Sequence, residues 1–280
     1  WDFTDEFNLP SVIFINKLDR ERSDFFRTFK DAQECFKPKP IITQIPIGSE
    51  ADFKGIVDLI RMKAFTYDNK GKATVIDIPQ DLQDQVEEER ETLVENVIES
   101  DDKLLERYLE GESLSDDEIT NVLRKGTLTR TFVPVLCGSA TKNIGIDLLQ
   151  DFFVNCMPSP LDRDPWIATD ATGETQIECT ADPDEPFSGF VFKTVADPFA
   201  GRLSIFRVVS GTLGADGTFY NTNKSTNERY NQLLRLAGKE QKQIKQAGPG
   251  SLVAVAKLKE TVTGDTLCSE SRKVKFKCTE

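Results

Sequence analysis

Apolar and polar positions in this chain of 280 residues follow two different patterns, and the change between them divides the sequence. In the first part, apolar runs rich in β-branched residues alternate with segments whose apolar side chains recur every three to four positions. The continuous runs are typical of buried strands, and the helical spacing is typical of amphipathic helices. After Pro186 the helical spacing disappears, and short apolar segments alternate with glycine-rich turns. The pattern therefore predicts an α/β region followed by an antiparallel all-β barrel.

The α/β region is predicted to place a strand and a following helix at each of its two ends. The strands are expected at 9–19 and 132–137, and the helices at 21–35 and 144–156. Strand, turn and helix in this order are typical of a parallel α/β sheet. The elements expected between them are strands at 41–45, 56–60, 63–67 and 74–78, a helix from 81, a short helix ending near 110, and a helix opened by the capping box of Ser115 to Glu118.

The later part of the chain is predicted to begin with a linker. Residues 158–185 are polar and rich in proline and aspartate, which favours an interdomain connection. The strands expected in the barrel at 186–280 are 190–195, 201–213, 217–222 and 251–258. The last residues, "SRKVKFKC", are expected to act as a connector to a further segment.

Composition narrows the classes of function. The chain is 38% hydrophobic and 29% charged, as globular proteins are, and its apolar runs are too short for a membrane span. Histidine is absent, which excludes Cys/His zinc sites and Ser-His or Cys-His catalytic pairs. Six scattered cysteines without a CxxC pair favour a reducing cytoplasm over a disulfide scaffold.

The net charge of −12 is unevenly distributed. Residues 186–280 carry 15 Lys and Arg against 8 Asp and Glu, whereas residues 1–185 carry 20 basic against 39 acidic side chains. A basic barrel could contact nucleic acid, and two solvated surfaces of opposite sign explain the same numbers. Lys239, Lys242 and Lys245, predicted to share a loop between strands, are the candidate RNA contacts.

The sequence "VIFINKLD" places polar side chains where a buried strand ends. Ligands of open α/β sheets bind at the carboxyl ends of the strands. Asp19 could accept hydrogen bonds from the N1–H and exocyclic amine of guanine, the Lys17 stem could cover the base, and Asn16 could connect neighbouring loops. The four letters N-K-x-D alone are a weak signal, and their place at a strand end strengthens it.

A second motif, Cys137-Gly138-Ser139-Ala140, also follows a predicted strand. A tight turn of small residues would let a backbone N–H approach guanine O6, with Ser139 bracing the loop. On its own this motif is an ordinary turn. The two motifs together indicate a site for the base of a guanine nucleotide.

Several segments resemble translation elongation factor G, and the resemblance covers essentially the whole chain. They are "PSVIFINKLDR", "ITQIPIGSEADFKGIVDLI", "TFVPVLCGSATKN", "MPSPLD" and "FRVVSGTL" with "TVTGDTLC". The resemblance implies the second half of a P-loop GTP-binding domain at 1–157, with an inserted α+β subdomain at about 38–131, followed by the second, β-barrel domain. It assigns guanine contacts to Asn16, Lys17 and Asp19, with Ser139 and Ala140 around the base oxygen.

The phosphate-binding loop G-x-x-x-x-G-K-[ST] of the family is absent from this sequence. The switch regions, which carry the magnesium-binding and water-positioning residues, are also absent and are expected to precede Trp1. The chain is therefore interpreted as a fragment that contacts GTP or GDP only at the base, has no catalytic residue or metal ligand of its own and does not hydrolyse GTP alone. The intact protein is expected to be a GTPase with Mg²⁺.

The implied function of the intact protein is ribosome-dependent movement of tRNA and messenger RNA, in the cytoplasm and as a monomer without membrane contact. The basic barrel would face ribosomal RNA, and the acidic insertion would meet the ribosomal stalk protein. Arg22-Ser23 stand where the typical factor has Gly-Ala, which favours an elongation factor G-related paralogue. The alternatives are a binding-only module and a tetracycline-resistance ribosomal protection protein.

Overall fold

The computed structural model describes residues 1–197, 201–238 and 240–278. Contacts between Cα atoms divide the chain into two compact units, Trp1–Met157 and Pro158–Glu280. The first unit combines helices with two sheets, and the described elements of the second are strands and one 3₁₀ turn. None of the described helices is long and apolar enough to cross a membrane.

The first unit contains a parallel sheet and an antiparallel sheet. The elements are α1 (Asp2–Glu6), β1 (Ile13–Ile15), α2 (Phe25–Cys35), β2 (Lys39–Ile42), β3 (Gln44–Ile47), β4 (Gly55–Asp58), β5 (Lys63–Tyr67), β6 (Ala73–Ile76), α3 (Gln83–Ile98), α4 (Asp102–Leu109), α5 (Asp116–Leu128), β7 (Phe132–Cys137) and α6 (Ile146–Cys156). Three strands form the parallel sheet in the order β1-β7-β2, and β3 to β6 form the antiparallel sheet in chain order.

Local signals account for the helix boundaries of this unit. The Asp24 side chain caps α2 by accepting a hydrogen bond from the Arg27 amide, and Ser115 with Glu118 forms the predicted capping box of α5. Apolar faces of these helices pack into one core with both sheets. The buried members of this core include Phe25, Ile45, Val57, Val97, Leu123 and Leu136.

The first strand is shorter than the sequence predicts. β1 is limited to Ile13–Ile15, since only these residues pair with β7, opposite Val135 to Cys137. β2 lies in the range expected for the insertion, and it pairs in parallel with β7 on the other side. The sheet that carries the two motifs therefore recruits a strand from 39–42, whereas β3 to β6 form a sheet of their own.

The second unit is built on an eight-stranded antiparallel sheet. The strands of this unit are β8 (Trp166–Asp170), β9 (Gln176–Cys179), β10 (Ser188–Asp197), β11 (Gly201–Ser210), β12 (Leu213–Gly214), β13 (Gly217–Asn221), β14 (Thr226–Tyr230), β15 (Leu233–Ala237), β16 (Glu240–Ile244), β17 (Gln246–Ala247), β18 (Leu252–Ala256), β19 (Thr266–Cys268) and β20 (Val274–Phe276). The large sheet has the order β14-β13-β19-β10-β11-β18-β15-β16, whereas β12 pairs with β17, and β20, β8 and β9 form a small sheet.

Two segments differ from the sequence-based expectation. The segment 158–185, expected as a linker, contains β8 and β9, which pair in an antiparallel hairpin. The tail expected as a connector contains β20, which pairs with β8 and buries Val274 and Phe276. These two side chains pack with Ala168 and Cys179 in a separate apolar cluster. Such short strands form here because each supplies the other with backbone partners and a small buried face.

Candidate guanine-base site

The two motifs lie side by side because the strands that carry them are parallel neighbours. Ile15 at the end of β1 pairs with Cys137 at the end of β7. Beyond the strands, the Gly138 amide donates to the Ile15 carbonyl at 3.0 Å, and the Leu18 amide donates to the Gly138 carbonyl at 3.3 Å. The structure thus places both motifs at the same carboxyl edge of the sheet, where α/β proteins bind their ligands.

Asp19 and Ser139 form the central contact of the site. The Ser139 hydroxyl donates to Asp19 Oδ1 at 2.6 Å, and the Asp19 side chain is only 6% exposed. This hydrogen bond lowers the pKa of Asp19 against the opposing effect of burial, with further lowering by the charges of Lys142 and Arg20. Asp19 is therefore an ionised acceptor held in a fixed orientation, as recognition of paired N–H donors requires.

Asn16 joins the two loops, as the sequence predicts. Its Oδ1 accepts from the Lys17 amide at 2.8 Å and from the Ala140 amide at 2.9 Å. The Ala140 N–H, expected to approach guanine O6, thus already has an acceptor. A contact with O6 would share this donor in a three-centre bond. Lys17 is exposed and adopts a left-handed backbone with φ of 64°, so its stem is available to a base.

Close packing fixes the loop that follows β7, from Gly138 to Ile144. A Cβ atom on Gly138 would lie 2.4 Å from the Ile144 carbonyl oxygen and 2.7 Å from the Phe14 ring. Ser139 and Ile144 exchange two backbone hydrogen bonds of 3.0 Å, which close the loop into a tight turn. Glycine is required at position 138 because any larger residue would displace one of these neighbours.

Two basic residues near Asp19 were not assigned a role from the sequence. Lys142 Nζ lies 4.0 Å and Arg20 Nε lies 3.7 Å from Asp19 Oδ2. The Lys142 amide also donates to the Ser139 hydroxyl at 3.4 Å. Lys142 follows the Ser-Ala turn closely in "SATKN", and this is the one sign in the sequence that it could lie near the site. The pairing of β1 with β7 is what brings Lys142 close to Asp19.

No group of three or more carboxylate or cysteine side chains in 1–197, 201–238 and 240–278 is placed to hold a metal ion.

The candidate RNA contacts do not share a loop between strands. Lys242 lies on β16, the edge strand of the large sheet, where it pairs with Arg235 on β15. Lys245 follows the end of β16, and both lysines are exposed. Lys239 lies outside the described residues. The prediction of a loop was wrong because the polar segment "EQKQI" gains its strand structure from pairing with β15.

Comparison with known protein families shows the family to which the chain belongs. Residues 1–159 match the family described as Elongation factor Tu GTP binding domain, and residues 186–270 match Elongation factor G domain 2. The chain therefore belongs to the family of elongation factor Tu-type GTP-binding domains, here followed by an elongation factor G-type second domain. These two family matches confirm the prediction of an α/β domain followed by a β-barrel domain.

Individual proteins similar to this chain show more closely which elongation factor it resembles. The chain is 41% identical to elongation factor G of Aquifex pyrophilus over 278 residues, which are 98% of this chain and 40% of that protein. A crystal structure of a protein from Thermus thermophilus superposes with a TM-score of 0.79 at 24% identity, over 96% of this chain and 37% of that one, and supports the fold alone. The chain thus spans about two fifths of the length of the curated relative. The resemblance to elongation factor G is confirmed.

Proposed function

We propose that the intact protein is a ribosome-dependent GTPase of the elongation factor G type, and that this chain supplies its guanine recognition. Asp19 accepts from guanine N1–H and the exocyclic amine, the Lys17 stem covers the base, and Asn16 with the loop of Ser139 and Ala140 encloses its O6 side. The observation that carries this proposal is the buried Asp19 carboxylate held by Ser139 at 2.6 Å.

The test of the base assignment is Asp19→Asn in the intact protein. Asparagine offers one acceptor and one donor where guanine requires two acceptors, so GTP affinity should fall and affinity for xanthosine triphosphate should rise. Loss of one charge-assisted contact corresponds to about 1.5–3 kcal/mol, or roughly 10- to 150-fold in the dissociation constant. Isothermal titration calorimetry with each nucleotide measures both affinities.

Asp216→Asn, in an exposed turn of the second unit, is the matched control and should leave both affinities unchanged. Unaltered GTP affinity in Asp19→Asn, with no gain for xanthosine triphosphate, would show that Asp19 does not read the base.

Magnesium and hydrolysis belong, in this proposal, to the intact protein. The sequence has no G-x-x-x-x-G-K-[ST] loop, so these 280 residues alone should contact GTP or GDP only at the base and turn over none of it. A GTPase rate above background from the chain alone, abolished by Asp19→Ala, would contradict this division. The lack of a phosphate-binding loop in these 280 residues also favours a second candidate function for the isolated chain, that of a module that binds its partners without nucleotide turnover.

Ribosome binding is assigned to the surfaces of opposite charge. We propose that the basic segment 186–280 of the second unit faces ribosomal RNA, with Lys239, Lys242 and Lys245 among its contacts. The acidic helices α3 to α5 would face the stalk protein. Replacing the three lysines by glutamine in the intact protein should reduce the salt dependence of ribosome binding by about one logarithmic unit of slope per lost phosphate contact. Lys70→Gln, in the exposed turn between β5 and β6, is the control. An unchanged slope for the triple variant would exclude these three lysines as RNA contacts.

The remaining assignments of the proposal concern the intact protein. We place it in the cytoplasm, as a monomer without membrane contact. Arg22-Ser23 favours an elongation factor G-related paralogue over the translocation factor itself. Complementation separates these alternatives, because a translocation factor would replace elongation factor G in a depleted translation system and a paralogue would not.

A further inference from the structure

The second unit contains a cavity of about 290 Å³ that two arginine side chains line. Arg163 precedes β8, and Arg207 lies on β11. Among the residues that the structure describes, neither guanidinium group has a hydrogen bond or an ion pair. Asp164 also lines the cavity, and it forms no ion pair with either arginine. The cavity therefore holds two positive charges without a bonded counterion.

The strand pattern explains why Arg207 faces this space. Phe206 and Val208 are fully buried in the main core of the sheet, so the alternation of side chains directs Arg207 to the opposite face. There Arg207 is half-buried, and its pKa is lowered by this burial and by the charge of Arg163. A half-buried guanidinium group that a second, exposed guanidinium group repels is unfavourable unless an anion compensates it.

Rigid neighbours form the walls of the cavity. A Cβ atom on Gly250 would lie 2.3 Å from Pro160 Cγ, so glycine lets the segment that carries Arg163 pack directly over the sheet. Trp166 lies at the side of the cavity, with its ring edge-to-face on Phe276 at 5.4 Å and 37% of its surface exposed. The cavity is thus held open by packed elements and offers an apolar ring beside the two charges.

We propose that this cavity binds the phosphate group of a small organic phosphate, with Arg163 and Arg207 donating to the phosphate oxygens and Trp166 contacting the organic group. Guanidinium groups match phosphate geometry through paired donors. The volume lies just below the roughly 300–1,000 Å³ range of small-molecule sites, which suits a small phosphate ligand. The site is independent of the guanine site, since all of its residues belong to the second unit.

The test follows ligand binding through the fluorescence of Trp166. Trp1→Phe in the full chain leaves Trp166 as the single tryptophan, and its fluorescence is titrated with inorganic phosphate and with adenosine monophosphate at constant ionic strength. We expect saturable changes, tighter binding of the nucleotide than of inorganic phosphate, and at least tenfold weaker binding in Arg207→Gln and in Arg163→Gln. Arg229→Gln on β14 is the matched control and should bind as the parent does.

Thermal unfolding separates lost binding from lost folding. Each ligand should raise the Tm of the parent and of Arg229→Gln, and should raise it little in the two cavity variants. Arg163→Gln keeps the test valid if Arg207→Gln fails to fold, because Arg163 is exposed. A signal that grows linearly with ligand, or equal affinity in Arg163→Gln and Arg229→Gln, would overturn the proposal. Equal affinity for phosphate and nucleotide would refute the contact with Trp166, and tighter binding of an RNA oligonucleotide would refute a small-molecule ligand.

Discussion

Ser139→Ala tests whether the serine is what holds Asp19 in place. The Ser139 side chain is fully buried, and its hydroxyl donates to Asp19 Oδ1 at 2.6 Å. Alanine removes this donor and leaves the nearly buried carboxylate with a backbone hydrogen bond and the charges of Lys142 and Arg20, at 4.0 and 3.7 Å. The substitution deletes one oxygen atom and leaves the backbone bonds between Ser139 and Ile144 in place.

A hydrogen bond to a charged group contributes about 1.5–3 kcal/mol to stability. We therefore expect Ser139→Ala to lower the free energy of unfolding of the first unit by about 2 kcal/mol at pH 7. Since the Ser139 hydrogen bond is the largest cause of the lowered pKa of Asp19, that pKa should rise in the variant towards 3.8, the ordinary value.

The pH dependence follows from the direction of this shift. A carboxyl group whose pKa is lowered by folding adds stability above its unfolded pKa, and this stability is lost as the pH falls through the folded pKa. For Asp19 the unfolded value is 3.8. The cost of Ser139→Ala should consequently be full at neutral pH and should shrink as the pH falls below this value.

Hydrogen exchange of the β7 amides under native conditions measures the stability of the first unit, because a global melt would mix the two units. The carboxyl ¹³C resonance of Asp19 reports its pKa directly. Ser49→Ala is the matched control, since Ser49 is exposed and its side chain makes no capping hydrogen bond. A loss below about 0.5 kcal/mol in Ser139→Ala, the level of ordinary surface substitutions, together with an unchanged pKa of Asp19, would refute the reasoning.

Three further predictions concern stability. Glu228→Gln should destabilise the second unit by about 3 kcal/mol in hydrogen exchange of the β11 amides, because the buried carboxylate accepts three backbone N–H groups and one hydroxyl, and an amide cannot accept all of them. Exposed Glu270→Gln should change little, and equal effects of the two substitutions would contradict this. Gly138→Ala should cost about 1–3 kcal/mol in exchange of the β7 amides, because its Cβ would lie 2.4 Å from the Ile144 carbonyl; full protection would argue against a tight turn. Phe276→Ala should cost about 3–5 kcal/mol, since the ring is buried, and an unaltered Tm would mean that the tail does not pack.

Sequence by itself determined the elements whose signals are local. β7 has the predicted bounds, α2 ends at the predicted Cys35, and the capping box of α5 forms at Ser115, because each depends on an apolar run or on residues a few positions apart. It also located both motifs at strand ends, since the transition from apolar to polar residues marks the end of a buried strand.

Only the tertiary structure decided which distant groups meet. The hydrogen bond between Ser139 and Asp19 joins residues 120 positions apart, and it exists because β1 and β7 are parallel neighbours. The sequence did not predict β8 and β20 because five and three residues are too few to show a period. The two strands also depend on each other as partners, and the paired residues Ala168 and Phe276 are 108 positions apart. Side-chain type and local spacing are readable from the chain, but pairing, burial and the cavity between Arg163 and Arg207 depend on contacts that form only when remote segments pack together.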